Sequence, residues 1–273
     1  MSRVYRFCIV LAVILAAGAL ASCGTPASQD GPLPTTIVDL NAAATAMVMT
    51  QNAPPGPFSE SIAFGSLEDG LSELDGWTYT AVAEFEGTFS GTSRPANATT
   101  TAKVAHHLLT TARRVEITAE GALLTEGDPV STEAVRIGRD VYLTVEGQCS
   151  VVTGTDAAVV ADAGVTQLIG GLARAVPVGQ TGVINGESVY RYEFDADALE
   201  LAAVTGDAAD VSIVGAELWF SAEHNAVIRL YLVLDVENAV LFGSSATVSG
   251  RLVIRYDLTD VGVDPNITTP FGC

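Results

Sequence analysis

Three kinds of side chain in this 273-residue sequence are able to carry chemistry: four cysteines, three histidines and a few clustered aspartates. No histidine or further cysteine lies at ligand spacing around Cys149 or Cys273, which argues against a zinc site. In an exported chain two such cysteines usually pair, and the alternative is two free thiols. His106 and His107 are adjacent in the alternating run TTTAKVAHHLLT, so they point to opposite faces of a strand and cannot chelate one ion. His224 falls in a turn, and all three histidines read as structural. Asp195/Asp197 and Asp257/Asp260/Asp264 offer the oxygens a hard cation wants, but they lack the glycine and terminal glutamate of an EF-hand loop. They read as a helix cap and a solvated tail. With no G-x-S-x-G, P-loop or dinucleotide fingerprint in the chain, the expectation is no enzyme, no cofactor and no metal.

Cys23 is the remaining reactive group, and its setting is different. Arg3 and Arg6 precede an apolar block from Phe7 to Ala17, which gives way to the small residues Gly18-Ala19-Leu20-Ala21-Ser22. This is the layout of a secretory signal peptide over residues 1–22, too short for a comfortable membrane span of about 20 apolar residues. The sequence Leu20-Ala21-Ser22-Cys23 resembles the bacterial lipobox. That resemblance implies cleavage before Cys23 and acylation of its thiol and new amino terminus, with palmitate among the expected chains. The alternative is an ordinary secretory site with a cysteine nearby. Two or three chains at about 0.8 kcal/mol per buried methylene hold a domain on a bilayer lastingly. The expected location is therefore the extracytoplasmic face of a cell membrane, anchored by lipid.

The elements that must carry these groups lie downstream. Loss of the two signal arginines leaves 11 basic against 32 acidic residues, a mature charge of −21, which repels phosphate backbones and excludes nucleic acid as a partner. Charged residues are only 16% against 48% hydrophobic, so the chain has material for a core and is not an acidic disordered tail. Residues 23–36 read as a lipidated tether rich in small residues, proline and glycine, and residues 37–273 as a single domain.

From Trp77 onward the hydrophobic period is two. Trp77, Tyr79 and Phe85 share one strand face, as do Ile228, Leu230 and Leu232 in VIRLYLVLDVE, with Thr78, Glu84, Arg229 and Asp235 opposite. Such alternation predicts antiparallel strands with one dry and one wet face, about nine to eleven of them as far as Leu258. Asn185-Gly186, Gly138-Arg139-Asp140 and His224-Asn225 stand where hairpin turns belong. In GVTQLIGGLARAV, Val165, Leu168, Ile169, Leu172 and Val176 form an apolar stripe at helical spacing. Asp195 is placed as an N-cap, with Phe194 and Leu199 as a hydrophobic staple. Helices over Ile37 to Met49, Asp156 to Val176 and Asp195 to Val204 are thus predicted. The fold class expected is α+β: a large curved antiparallel sheet, or half-open β-barrel, with helices covering its concave apolar face.

The lipobox, the tether, VRIGRDVYLTVEG (135–147), AELWFSAEHNAVIRLYLVLDVEN (216–238) and a last strand running into YDLTDVGVDPNITTP (256–270) together resemble the LppX/LprG-type lipoproteins, which are related to the LolA/LolB lipoprotein carriers. The resemblance covers most of the mature chain. It implies a half-open barrel whose apolar cavity holds the acyl chains of a lipid or lipoprotein. The ligand contacts expected on this basis are Trp77, Tyr79, Phe85, Val165, Leu168, Ile169, Leu172, Ile228, Leu230 and Leu232. A domain of the same fold without a cavity would instead be a non-catalytic envelope interaction or sensor module, with other envelope proteins as partners.

Overall fold

The computed structural model describes residues 60–125, 128–152, 159, 161–206 and 209–273. The signal peptide, Cys23, the tether and the helix expected over Ile37 to Met49 lie outside the described residues. The alternating stretches form strands because each presents one unbroken apolar face. In β2 (Gly76–Phe89), Trp77, Tyr79, Ala81, Ala83 and Phe85 are buried while Glu86 is exposed. In β12 (Ala226–Leu241), Ile228, Leu230, Leu232, Leu234 and Val236 are buried, while Arg229, Tyr231, Val233 and Asp235 are partly exposed and Glu237 is exposed. β13 (Thr247–Thr259) buries Val248, Leu252, Ile254, Tyr256 and Leu258 in the same rhythm.

The remaining strands are β1 (Ile62–Phe64), β3 (Pro95–His107), β4 (Ala112–Glu120), β5 (Val130–Ile137), β6 (Asp140–Val145), β7 (Gln148–Val152), β8 (Leu172–Ile184), β9 (Glu187–Glu193), β10 (Val204–Thr205) and β11 (Asp210–Ser221). All belong to one antiparallel sheet in the order β1-β8-β9-β11-β12-β13-β2-β3-β4-β5-β6-β7, with β10 beside β12 off this path. Most neighbours in the sheet are neighbours in sequence, and three of these joins, at Gly138-Arg139-Asp140, Asn185-Gly186 and His224-Asn225, are the predicted turns. Asn185 and Gly186 take φ of 55° and 92°, the left-handed pair a two-residue hairpin needs. The long-range join is β13 against β2, over twelve paired positions from Val248↔Phe89 to Thr259↔Thr78. The sheet curls upon its dry face: the carbonyl of Ala163, just ahead of β8, accepts a hydrogen bond from Arg113 on β4, seven places along the strand order. Cys149 on β7 is bonded to Cys273, with Cα atoms 5.4 Å apart, so the last residue is tied to the edge strand.

The α+β expectation is overturned. Among the described residues the fold is nearly all antiparallel sheet with no helix of seven or more residues, and the two described segments read as covering helices are mostly short turns and strands. Leu172 and Val176 belong to β8, whose run includes Pro177, a residue that removes a helical donor. Within Asp156 to Val176, Val159 and Ala161 are α-helical and Val165–Gln167 forms a single 3₁₀ turn. Gly170-Gly171 ends the stripe for a steric reason: a Cβ on Gly171 would stand 2.8 Å from the carbonyl oxygens of both Phe64 and Gly65. In the second segment Asp195 makes no side-chain cap, Ala196–Ala198 form one 3₁₀ turn, and Leu199 returns to extended backbone at φ −102°, ψ 127°. The backbones of the two segments pair with each other instead, through Gly170 N–H to Glu200 O, Glu200 N–H to Gly171 O and Ala203 N–H to Leu168 O. Here tertiary partners for the same backbone groups prevail over local helix propensity, which is weak.

Candidate functional site

The dry face of the sheet and the segments lying on it form one continuous apolar interior. All ten residues expected to contact a ligand fall in the same cluster: Trp77, Tyr79 and Phe85 from β2, Ile228, Leu230 and Leu232 from β12, and Val165, Leu168, Ile169 and Leu172 from the stretch entering β8. Each is buried, Leu168 being the most accessible at 7%. Leu67 and Leu71, ahead of β2, and the Leu123-Leu124 pair after β4 close over the same interior. Among the described residues, what lies over the dry face is thus a set of short, mostly irregular stretches. Sequence periodicity located the apolar residues, and the side chains they meet are one another.

Polar chemistry enters this interior at one end. The register sets Trp77 opposite His106, His106 opposite Arg113 and Arg113 opposite Arg136, so these four share the core-facing side of β2, β3, β4 and β5. The Arg113 guanidinium lies 5.5 Å from the centre of the Trp77 ring and donates to both Glu68 carboxylate oxygens, at 2.9 and 3.1 Å. It also donates to Ala163 O at 3.2 Å. Tyr79 donates its hydroxyl to Glu68 at 2.5 Å and accepts from the backbone N–H of Val165 at 3.0 Å. One buried ion pair therefore fastens two covering stretches, 65–71 and 163–171, to the sheet. Arg136 makes a further pair with Asp162. Gly164 is threaded through the cluster, and a Cβ there would fall 2.4 Å from the Tyr79 hydroxyl and 2.6 Å from Glu68.

The protonation of these groups follows from their setting. Burial, reinforced by the Glu68 carboxylate, pushes the Tyr79 phenol well above its ordinary value. Burial, reinforced by Tyr79 and Glu68, does the same to Tyr256, whose ring centre is 5.1 Å from that of Tyr79 and whose hydroxyl has no partner. For Arg113 burial opposes the charge, but the Glu68 carboxylate outweighs it and the guanidinium is held more firmly protonated. Burial and then the neighbouring Arg113 and Arg136 charges push His106 down. At neutral pH the arrangement is two guanidinium groups beside an uncharged His106, with the Glu68 and Asp162 side chains and two neutral phenols, at the edge of an aliphatic core.

Two clefts open at the surface. One of about 340 Å³ lies beside β1 and the turn between β11 and β12, edged by Glu60, Ile62, Phe64, Asp69, Phe220 and Asn225. The other, of about 250 Å³, lies on the wet face, where Arg229 pairs with Asp257 at 2.6 Å and Arg255 stands over Tyr231. Of the expected ligand residues only Leu230 borders either cleft. The aspartates weighed as cation ligands are spread apart by other bonds: Asp257 to Arg229, and Asp264 to the N–H of Asn266. Among the described residues no three His, Cys, Asp or Glu side chains gather as a metal site, and no helix is long and apolar enough to cross a membrane.

Sequence reading missed Glu68, Arg113, Arg136 and Asp162. The available signal was the alternation of β4, in which Arg113 shares a face with Val115, Ile117 and Ala119. An arginine at a core position needs a buried partner. Glu68, in an irregular stretch, carried no such mark.

No protein-family model matches the chain, and no curated protein sequence matches it. Among solved structures it is similar to LprF from Mycobacterium bovis, of the LppX/LprG lipoproteins, at 12% identity over 76% of this chain and 94% of that one, with a TM-score of 0.33. It is also similar to a DUF1329 family protein from Desulfovibrio piger, at 9% identity over 73% of this chain and 90% of that one, with a TM-score of 0.23.

Proposed function

We propose that the chain is a membrane-anchored extracytoplasmic lipoprotein that binds a lipid or other long apolar molecule between its sheet and the stretches lying on it. No catalytic role is assigned. The observation that supports this reading is the nature of the cover. Among the described residues, a dry face several strands wide is overlaid by irregular segments whose backbone bonds run mostly within and between themselves, and such segments part at lower cost than packed helices. An aliphatic interior of this kind suits acyl chains, since a 16-carbon chain buried at about 0.8 kcal/mol per methylene offers on the order of 12 kcal/mol before ordering costs. Lipidation at Cys23 would hold the domain where such molecules are concentrated.

The second reading, a non-catalytic envelope interaction or sensor module, is favoured by a different observation: the described core residues already pack against one another, and both clefts are open to solvent. Two experiments separate the readings. Mass spectrometry of the native protein tests the anchor, which is refuted by a mature terminus at any residue other than Cys23 or by an unmodified Cys23. The mature chain, residues 23–273 with Cys23→Ser, is then purified and extracted with organic solvent. Lipid released at a fixed stoichiometry supports the binding reading, whereas an empty domain that also fails to bind a fluorescent fatty acid moves the assignment to the interaction module.

A further inference from the structure

The row of two guanidinium groups and an imidazole has a composition that an apolar-ligand site does not require. His106, Arg113 and Arg136 stand side by side on the inner face of a chain whose net charge is −19. The next inner positions along the same strands are Val104, Val115 and Ala134, so the row opens directly onto aliphatic surface. Among the described residues, the sheet positions paired with the row carry no carboxylate. Its counter-charges come from elsewhere: Glu68 from the stretch before β2 and Asp162 from the stretch before β8. The satisfaction is also incomplete, because the Arg113 Nε and the His106 Nδ1 are buried without a hydrogen-bond partner, although the Arg113 residue is only 5% exposed. A guanidinium this deep needs an anion, and its planar fork fits the paired oxygens of a carboxylate or phosphate.

We propose that the His106–Arg113–Arg136 row recognises the anionic headgroup of a long-chain amphiphile, and that Glu68 and Asp162 are internal surrogates which that headgroup displaces. The inference rests on the apolar-ligand reading above and narrows it to molecules with one negatively charged end. The headgroup lies against Arg113 and Arg136, and the chain runs from it past Val104 and Val115 toward the Tyr79 and Ile228 strands. Displacing Glu68 also frees the two stretches that Arg113 and Tyr79 fasten, so headgroup binding and parting of the cover are one event.

The test uses the mature chain, residues 23–273 with Cys23→Ser, titrated at pH 8 with a fluorescent long-chain fatty acid, its methyl ester, and an alkyl phosphate of equal length. Either anion is expected to bind roughly tenfold or more tightly than the ester, the scale of one charge-assisted hydrogen bond, and the tighter of the two names the headgroup. Arg136→Gln should narrow that preference. Glu68→Gln and Asp162→Asn should tighten the anions and leave the ester unchanged. Asp162 is 55% exposed, so Asp162→Asn keeps the test open if Glu68→Gln fails to fold. Equal binding of anions and ester overturns this proposal and leaves the apolar-ligand reading standing, whereas failure of all three probes to bind overturns both.

Discussion

The Arg113–Glu68 pair makes a quantitative prediction about what holds the cover on the sheet. The Arg113 side chain is 7% exposed and the Glu68 side chain 22%. Removing one member of a buried pair costs about 3–5 kcal/mol because the survivor is left charged and dry. The two single changes are not equivalent. Glu68→Leu strands a guanidinium whose remaining acceptor is Ala163 O, so the full cost applies, about 4 kcal/mol. Arg113→Met leaves a carboxylate that keeps the Tyr79 hydroxyl and is partly wet, so its cost is discounted to about 2 kcal/mol. The double variant replaces the pair with apolar groups of similar size and should cost about 2 kcal/mol, well below the sum of the singles. The assay is urea unfolding of all four proteins followed by circular dichroism, with slopes compared to confirm a common unfolded state. The expected coupling is on the order of 4 kcal/mol. Additivity within about 0.5 kcal/mol, or a Glu68→Leu cost under about 1 kcal/mol, would refute the claim that this pair fastens the two stretches.

Gly164→Ala tests the same cluster without touching a charge: Gly164 is extended at φ 178°, so alanine meets no backbone strain, and the expected loss of about 2 kcal/mol comes from its Cβ pressing on Tyr79 and Glu68. A melting temperature unchanged by this substitution counts against the packing described. For the disulfide, the 124-residue separation gives about 5 kcal/mol of stabilisation in the chain-entropy model. Cys149→Ser/Cys273→Ser should therefore melt far below the parent and lose all sensitivity to reductant, and a parent whose melting ignores reductant would contradict this. His106 supplies a pH dependence. The unfolded chain takes up its proton near the ordinary value of about 6.5, whereas the folded domain resists that proton, so stability is lost as pH falls below about 6.5. His106→Phe should flatten the melting profile in that window, and an identical slope in parent and variant would reject the assignment.

Much of the architecture was written locally. Alternation in the β2, β12 and β13 stretches determined both that these residues form strands and which side is dry, because the pleat turns successive side chains to opposite faces. Turn chemistry determined hairpin corners such as Asn185-Gly186, and cysteine arithmetic determined the one available pair. The burial of the ten apolar residues from Trp77 to Leu232 was legible for the same reason, because burial follows the pattern of side-chain types.

Tertiary structure alone decided the rest. A stripe at i, i+3, i+4 and i+7 specifies burial on one side, and a buried turn leading into β8 satisfies it as well as a helix does. The choice fell to backbone partners contributed by residues 199–203, some thirty positions away. The row of His106, Arg113 and Arg136 exists only because β3, β4 and β5 align in one register, and the counter-ions of its two arginines, Glu68 and Asp162, reach it only because the sheet curls far enough to bring the approaches to β2 and β8 over β4. Charge pairs of this kind leave no period in a sequence: Coulomb attraction depends on distance in space, and distance in space is set by how the whole sheet closes.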